Sequence, residues 1–192
     1  MAKAPILELY LLNFGFLAFL SLVFFKRKGK MTWGRFFSLL PFFFSVTYLI
    51  ALSLGFSPTL LLPIEDPVRQ MLAIPLSVAS YILTSYSLGS HDRPVGLCHQ
   101  DRDIPDHLVT RGAYSKIRHP LYTAHLLLLF GVFVFSPSIF SALLFLYGWA
   151  MLTFTAIKEE RKFLLSSLGN QYREYMSHTG RFLPSLFGFK NG

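Results

Sequence analysis

Between His119 and Ile157 the chain runs 39 residues without an Asp, Glu, Lys or Arg. A membrane-crossing helix needs about 20 apolar residues, so this stretch is too long for one helix and long enough for two. Ser136-Pro137-Ser138 near its middle is a turn signal, and the stretch is expected to form a tight helical hairpin. Three further charge-free stretches are Leu9–Phe25 (17 residues), Phe36–Ile64 (29) and Gln70–Ser90 (21). The expected fold is all-α: an integral membrane bundle of five transmembrane helices with a C-terminal amphipathic helix, forming a single membrane domain over 1–192. The spans are placed at about residues 5–25, 36–54, 68–89, 120–135 and 139–157. At ~1.5 Å per residue the fourth covers only about 24 Å of a ~30 Å hydrocarbon core. Its N-terminal end is therefore expected within the membrane interface.

Composition agrees. Charged residues are 15% of the chain, against about 25% in soluble domains, and mean hydropathy is +0.47. One cysteine excludes an intramolecular disulfide framework. The formal charge of +8 suggests nucleic acid in a soluble protein. Here topology and anionic lipid account for it, and no nucleic-acid-binding module accompanies it. With five spans, 16 of the 18 basic residues fall on one side: Lys26, Arg27, Lys28, Lys30 and Arg35; Arg93, Arg102, Arg111, Lys116 and Arg118; Lys158, Arg161, Lys162, Arg173, Arg181 and Lys190. Lys3 and Arg69 are left for the other. The positive-inside rule then puts the N-terminus outside and the C-terminus in the cytoplasm. The polar loop 89–118 and the segment 158–184 become cytoplasmic. Lys158–His178 carries Leu164, Leu165, Leu168, Tyr172, Tyr175 and Met176 at helical spacing and reads as the amphipathic helix, with Gly180 as its stop.

The polar residues cluster at that cytoplasmic face. Pro120 suits the first turn of a helix. Arg118 and Tyr122 are four apart and His119 and Tyr122 three apart, so they share a side of the chain entering the fourth span. A positive helix end favours an anionic group there; the same pattern also describes an interface anchor. Glu159-Glu160 directly after the fifth span are two carboxylates at a membrane boundary, where they need solvent or a partner. They suit either a cationic ligand or local Lys and Arg pairs. His91, Cys98, His99, Asp101, Asp103 and His107 match no zinc spacing, so no metal is expected. His125, inside the fourth span, is an intramembrane ionisable group, serving either function or a bond to a neighbouring helix. No phosphate loop or GxSxG elbow is present.

The stretch Leu108-Val109-Thr110-Arg111-Gly112-Ala113-Tyr114 through Arg118-His119-Pro120-Leu121-Tyr122 resembles the signature region of the isoprenylcysteine carboxyl methyltransferase family and its phospholipid N-methyltransferase relatives. Glu159-Glu160, Leu168-Gly169-Asn170-Gln171-Tyr172-Arg173-Glu174-Tyr175 and Gly180-Arg181-Phe182-Leu183-Pro184 match in the same order and spacing. The resemblance covers about residues 85–184. It implies an integral membrane methyltransferase using S-adenosylmethionine on a lipophilic small-molecule or lipid-anchored acceptor. It also implies that the loop and the C-terminal segment form the cofactor site. By position, Leu108, Val109, Gly112, Tyr114, His119 and Tyr122 would line the cofactor pocket, and Glu160, with Glu159, would meet the cofactor's ammonium. Arg118 or Arg181 would orient an anionic acceptor. Some relatives carry an Arg one turn before the paired carboxylates; here Thr153, Thr155 and Ala156 stand nearby, which leaves open whether the acceptor is a carboxylate, an amine or a thiol. Two other readings predict different behaviour. A membrane reductase would bind NADPH, and a non-enzymatic membrane subunit would bind no cofactor.

Overall fold

The computed structural model describes residues 3–23, 33–91 and 107–185, without the side chains of residues 3, 20–23 and 33–39. Within them lie six α-helices: α1 (Lys3–Val23), α2 (Trp33–Ser53), α3 (Asp66–Gly89), α4 (Pro120–Phe135), α5 (Ile139–Leu164) and α6 (Gly169–His178). A short 3-10 turn, Gly112–Ser115, precedes α4. Among the described residues there is no β-strand, only two isolated bridges. The basic cluster Lys26–Lys30 and the loop residues Arg93, Cys98, His99, Asp101, Arg102 and Asp103 lie outside the described residues, as does Lys190.

α4 is apolar on every side and takes the central position, packing most extensively on α3. The facing stripe of α3 is Ala73, Ser77, Ser80, Thr84 and Ser87, all buried and spaced four and three apart along one helix face. Small side chains let the two backbones approach closely, which is how helices associate where no water drives them together. The hydroxyls also close polar contacts: Ser80 Oγ donates to the Ala124 carbonyl at 2.8 Å. On the neighbouring helix, Tyr10 Oη donates to the Ala73 carbonyl at 2.7 Å, and Asn13 Nδ2 donates to the Ser77 carbonyl at 2.9 Å. Tyr10, Phe14, Leu49, Leu128, Leu129 and Val132 form the heart of the apolar core.

The turn predicted at Ser136-Pro137-Ser138 is present. Ser138 caps α5 in a reciprocal capping box with Ser141. Tyr48 Oη sits between Ser136 Oγ (2.7 Å) and Ser138 Oγ (2.9 Å), so this end of the bundle is held by buried neutral hydroxyls. Arg69, expected as one of two basic residues on that side, is buried there. It donates Nη1 to the Phe135 carbonyl at 3.1 Å and pairs with Asp66, so it caps the C-terminal end of α4.

The expected amphipathic helix over Lys158–His178 is not one helix. α5 continues through Lys158-Glu159-Glu160-Arg161-Lys162, good helix formers with two cations in the last turn. The chain then breaks at residues 165–168, and α6 begins at Gly169. Ser166 Oγ donates to the Phe163 carbonyl at 2.7 Å and accepts from the Leu168 amide at 3.2 Å, turning the chain away. The turn is close: a β-carbon at Gly169 would lie 2.5 Å from the Leu164 carbonyl oxygen.

By length and composition, α3 and α5 are long and apolar enough to cross a membrane. α1, α2 and α4 contain shorter apolar stretches at Ala4–Phe19, Leu40–Ser53 and Pro120–Phe135. The outer surface is itself apolar, with Leu12, Phe43, Met71, Ile82, Trp149 and Phe154 exposed on four different helices. Exposed apolar side chains of this kind suit contact with lipid or protein.

The α1–α4 contact can be tested at Gly131, where a β-carbon would overlap the Tyr10 hydroxyl. Gly131→Ala should destabilise the bundle by about 1–3 kcal/mol, the usual cost of overpacking. Tyr10→Phe in the same chain should recover part of that loss by removing the clashing oxygen. Strictly additive losses in thermal or denaturant unfolding would show that the two positions do not meet.

Candidate functional site

Three segments far apart in sequence converge where α4 begins. Pro120 occupies the first turn of α4 and His119 its N-cap position, so the non-helical chain at Arg118 and His119 turns into the helix at Pro120. The chain after α6 runs alongside in parallel. The Arg118 amide donates to the Gly180 carbonyl at 2.8 Å and the His119 amide to the Arg181 carbonyl at 3.1 Å. Thr123 Oγ1 donates to the Phe182 carbonyl at 2.7 Å. Gly180 fits because any β-carbon there would overlap the Leu183 carbonyl oxygen. The extension of α5 brings Glu159 and Glu160 to the same point.

Glu160 is the centre of the cluster. Its carboxylate accepts from Arg118 Nε at 3.0 Å and, in a two-point pair, from Arg181 Nε at 3.0 Å and Arg181 Nη2 at 2.7 Å. His119 Nε2 lies 3.4 Å from the same carboxylate, and His119 Nδ1 lies 3.3 Å from Glu159. Glu159 also accepts from the Tyr122 hydroxyl. The His119 and Tyr122 rings are stacked, 5.3 Å apart and nearly parallel. Side-chain exposure is 5% for Glu160 and 9% for both Arg118 and His119, against 35% for Arg181, which is the member open to the outside. Arg118 is committed inward, since its Nη1 also donates to the Thr179 carbonyl at the end of α6.

These contacts set the charge states. Burial opposes ionisation of Glu160, but hydrogen bonds from His119, Arg181 and Arg118 outweigh it and hold the carboxyl well below the usual range. Burial likewise disfavours the His119 imidazolium, but Glu159 and Glu160 outweigh it and raise its pKa above the ordinary value. Burial pushes the Tyr175 hydroxyl up to about 12, so it stays protonated and donates to the Tyr114 carbonyl at 2.6 Å.

The sequence-predicted residues fall into two groups. Arg118, His119, Tyr122, Glu159, Glu160 and Arg181 form the ion cluster. Gly112 and Tyr114 lie on the 3-10 turn packed against the end of α3. Gly112 has φ +59°, and a β-carbon there would overlap Ser90 Oγ. Tyr114 Oη lies 2.9 Å from His91 Nε2. Leu108 lines an open cleft of about 380 Å³ together with Thr110, Ser115, Gln171, Glu174 and Tyr175. Val109 lies between Leu108 and Thr110, both of which line that cleft. The cleft reaches Thr179, which also receives Arg118, so the two groups adjoin. Thr123 and Tyr175 were not singled out as site residues. Each bonds a backbone carbonyl about 60 residues away, and a backbone partner leaves no mark in side-chain patterning. Among the described residues no three His, Cys, Asp or Glu side chains gather to hold a metal.

The opposed shifts of Glu160 and His119 give a signed pH dependence. Glu160 contributes stability above its ordinary value of 4.5, and this is lost as pH falls through its depressed pKa. His119 contributes fully below its ordinary 6.5, and this is lost as pH rises through its raised pKa. The melting temperature should therefore be highest between about 4.5 and 6.5 and fall on both sides. In His119→Ala the alkaline decline should disappear and the acid decline remain. An unchanged alkaline limb would remove His119 from the cluster's energetics.

The family model described as phospholipid methyltransferase matches residues 68–171, which spans α3, the 3-10 turn, α4, α5 and the start of α6. The cobalt-zinc-cadmium resistance protein CzcN of Cupriavidus metallidurans is 34% identical over 79 residues, covering 41% of this chain and 36% of that protein. The match thus extends over about a third of that relative's length. With more than half of its residues inside the family model, the chain belongs to the phospholipid methyltransferase family.

Proposed function

We propose that this protein is a membrane-embedded methyltransferase that uses S-adenosylmethionine to methylate a lipophilic acceptor. The observation that carries the proposal is the buried cluster of Arg118, His119, Glu159, Glu160 and Arg181 beside the polar cleft, at the polar end of two apolar helices. The outward apolar faces of α1, α2, α3 and α5 support a bundle of five spans, with α6 and residues 107–119 at the end carrying the site. The excess of Lys and Arg at that end supports a cytoplasmic site and an external N-terminus.

The donor set suits the cofactor. S-adenosylmethionine carries a carboxylate, an ammonium and a sulfonium. With His119 protonated the cluster holds three cations and two carboxylates, an excess that favours an anionic group. Arg181, the exposed cation, is placed to take the cofactor carboxylate. Glu160 is already neutralised by two guanidiniums. The ammonium contact is assigned to Glu159, which meets the Tyr122 hydroxyl and His119. Leu108 lines the neighbouring cleft, whose volume lies in the range of small-molecule sites.

When bound, the cofactor supplies a methyl group on a positively charged sulfur, a centre open to in-line displacement. The chain's own contribution is orientation and exclusion of water. Arg118 fixes the end of α6 and Glu160 together, Tyr122 and His119 hold the Glu159 carboxylate, and the apolar walls of α4 and α5 keep the reacting centre dry. Holding two reactants in register accounts for much of such a barrier.

Labelled S-adenosylmethionine should bind the purified protein, with NADPH failing to compete. Glu159→Gln and His119→Ala should each lower that affinity at least tenfold, about 1.4 kcal/mol. Glu160→Gln should also destabilise the protein by about 3–5 kcal/mol, because it leaves buried guanidiniums without their counter-charge. Binding of NADPH alone, or undiminished affinity in all three variants, would sink the assignment.

A further inference from the structure

Ala4–Phe19 is an apolar stretch of α1, and Glu8 is its one charged residue. Tyr10 reaches the Ala73 carbonyl and Asn13 the Ser77 carbonyl, so α1 runs parallel to α3 with Glu8 level with about Met71. That level lies about five residues, or ~7.5 Å, inside the start of α3 at Asp66. Met71 is 76% exposed, so the surface at this depth is apolar. Glu8 is exposed there, and among the described residues no cation or hydrogen-bond donor meets it. Lys3 precedes it by five residues, about 140° round the helix. A carboxyl group at such a depth is costly without a partner.

The rest of this face is shaped for one. Glu8, Leu12, Gly15 and Phe19 follow at spacings of four, three and four, the repeat of a helix-packing seam. Leu12 is 72% exposed and Phe19 58%. With Leu11 and Phe16 these residues line a groove of about 680 Å³. One wall is fixed, since the Phe16 ring packs on Tyr81 of α3 with 4.7 Å between centroids. A β-carbon at Gly15 would meet nothing within 4 Å. Packing inside this chain therefore does not require the glycine, which weakens a helix interior. On an outward face it lets another helix backbone come close.

We infer that this groove docks a transmembrane helix of a partner protein, one that presents a Lys or Arg level with Glu8. Charge complementarity selects that occupant. A lipid tail fills an apolar groove but brings Glu8 no donor. A second copy of α1 in a two-fold pair sets carboxyl against carboxyl. A helix with a basic side chain meets both features: its cation pairs with Glu8, and its backbone closes on Gly15 two turns further in. The pair forms where water is scarce and opposite charges attract strongly. Residues 8–19 precede the family match over 68–171. Glu8 also stands at the hairpin end of the bundle, near the level of Arg69, which reaches the Phe135 carbonyl. The groove is thus separate from the ion cluster, and the inference does not depend on the methyltransferase reading.

The test places the full chain, labelled at its one cysteine, Cys98, in phosphatidylcholine vesicles. The probe is a synthetic Leu/Ala transmembrane peptide of about 20 residues with a Lys near one end, a Gly two turns further in and a fluorescent donor. Energy transfer should report binding of this peptide, and a peptide with Leu in place of Lys should bind at least tenfold more weakly. Glu8→Gln and Gly15→Leu should each lower affinity for the Lys peptide at least tenfold, whereas Glu8→Asp, which keeps the carboxyl group, should keep most of it. Trp149→Leu, on the outward face of α5, should leave binding unchanged. Melting temperatures should match wild type in all four variants, which separates lost docking from lost folding. Equal binding of the two peptides, or undiminished affinity in Glu8→Gln and Gly15→Leu, overturns the inference. Transfer between two labelled copies that falls in Glu8→Gln and Gly15→Leu, and that excess Lys peptide does not displace, also overturns it, because the occupant is then a second copy of this chain.

Discussion

The carboxylate of Glu160 holds together the end of the molecule where α4 begins. A buried carboxylate is expensive unless cations and hydrogen bonds meet it closely. Here Arg118 comes from the chain entering α4, Arg181 from the strap after α6, and His119 from the α4 N-cap. None of these segments has a local reason for its course. Residues 116–119 and 179–182 share only a few backbone hydrogen bonds, too few to order two irregular segments alone. The charge requirement of Glu160 makes their meeting obligatory, and Arg118 passes the constraint to α6 through the Thr179 carbonyl. One ion cluster thus sets the relative positions of α4, α5, α6 and the strap.

The two ends of the bundle solve the same problem differently. At the hairpin end, buried hydroxyls of Tyr48, Ser136, Ser138 and Ser141 satisfy one another and nearby backbone. Among the described residues the guanidinium there, Arg69, caps the end of α4. Among the described residues that network is neutral apart from the Arg69–Asp66 pair. At the other end the polar groups are ionised, partly exposed at Arg181, and next to a cleft. Neutral hydroxyls stabilise a closed end at little desolvation cost. A cluster with excess positive charge and one accessible cation favours a ligand. Between the ends, the small-residue face of α3 lets α4 sit at the centre, which delivers Pro120 and His119 to the site.

Much of the helical framework was legible because absence of charge over about 20 residues is a strong signal. The turn at Ser136-Pro137-Ser138, the start of α4 at Pro120 and its brevity all follow from residues adjacent in the chain. The residues of the ion cluster were recognisable as a set, but their pairing was not. Spacing put Glu159 and Glu160 side by side without distinguishing them, whereas packing buries one among guanidiniums and turns the other toward Tyr122. Lys158–His178 reads as one helix because its apolar residues keep helical spacing across the Ser166-Ser167 break. Side-chain periodicity does not register a tight backbone turn that Gly169 permits. Charge counting leaves Arg69 for the side opposite the basic clusters, and nothing local shows that it reaches a carbonyl 66 residues away.

By itself, then, the sequence determined the apolar helices, the hairpin, the asymmetry of basic residues and the family, because each depends on composition or order over short windows. Tertiary structure alone decided that Arg118 faces inward and Arg181 outward, and that the small residues of α3 receive α4. Those outcomes depend on which segments meet, and that is governed by long-range burial and charge compensation, which local patterning does not encode.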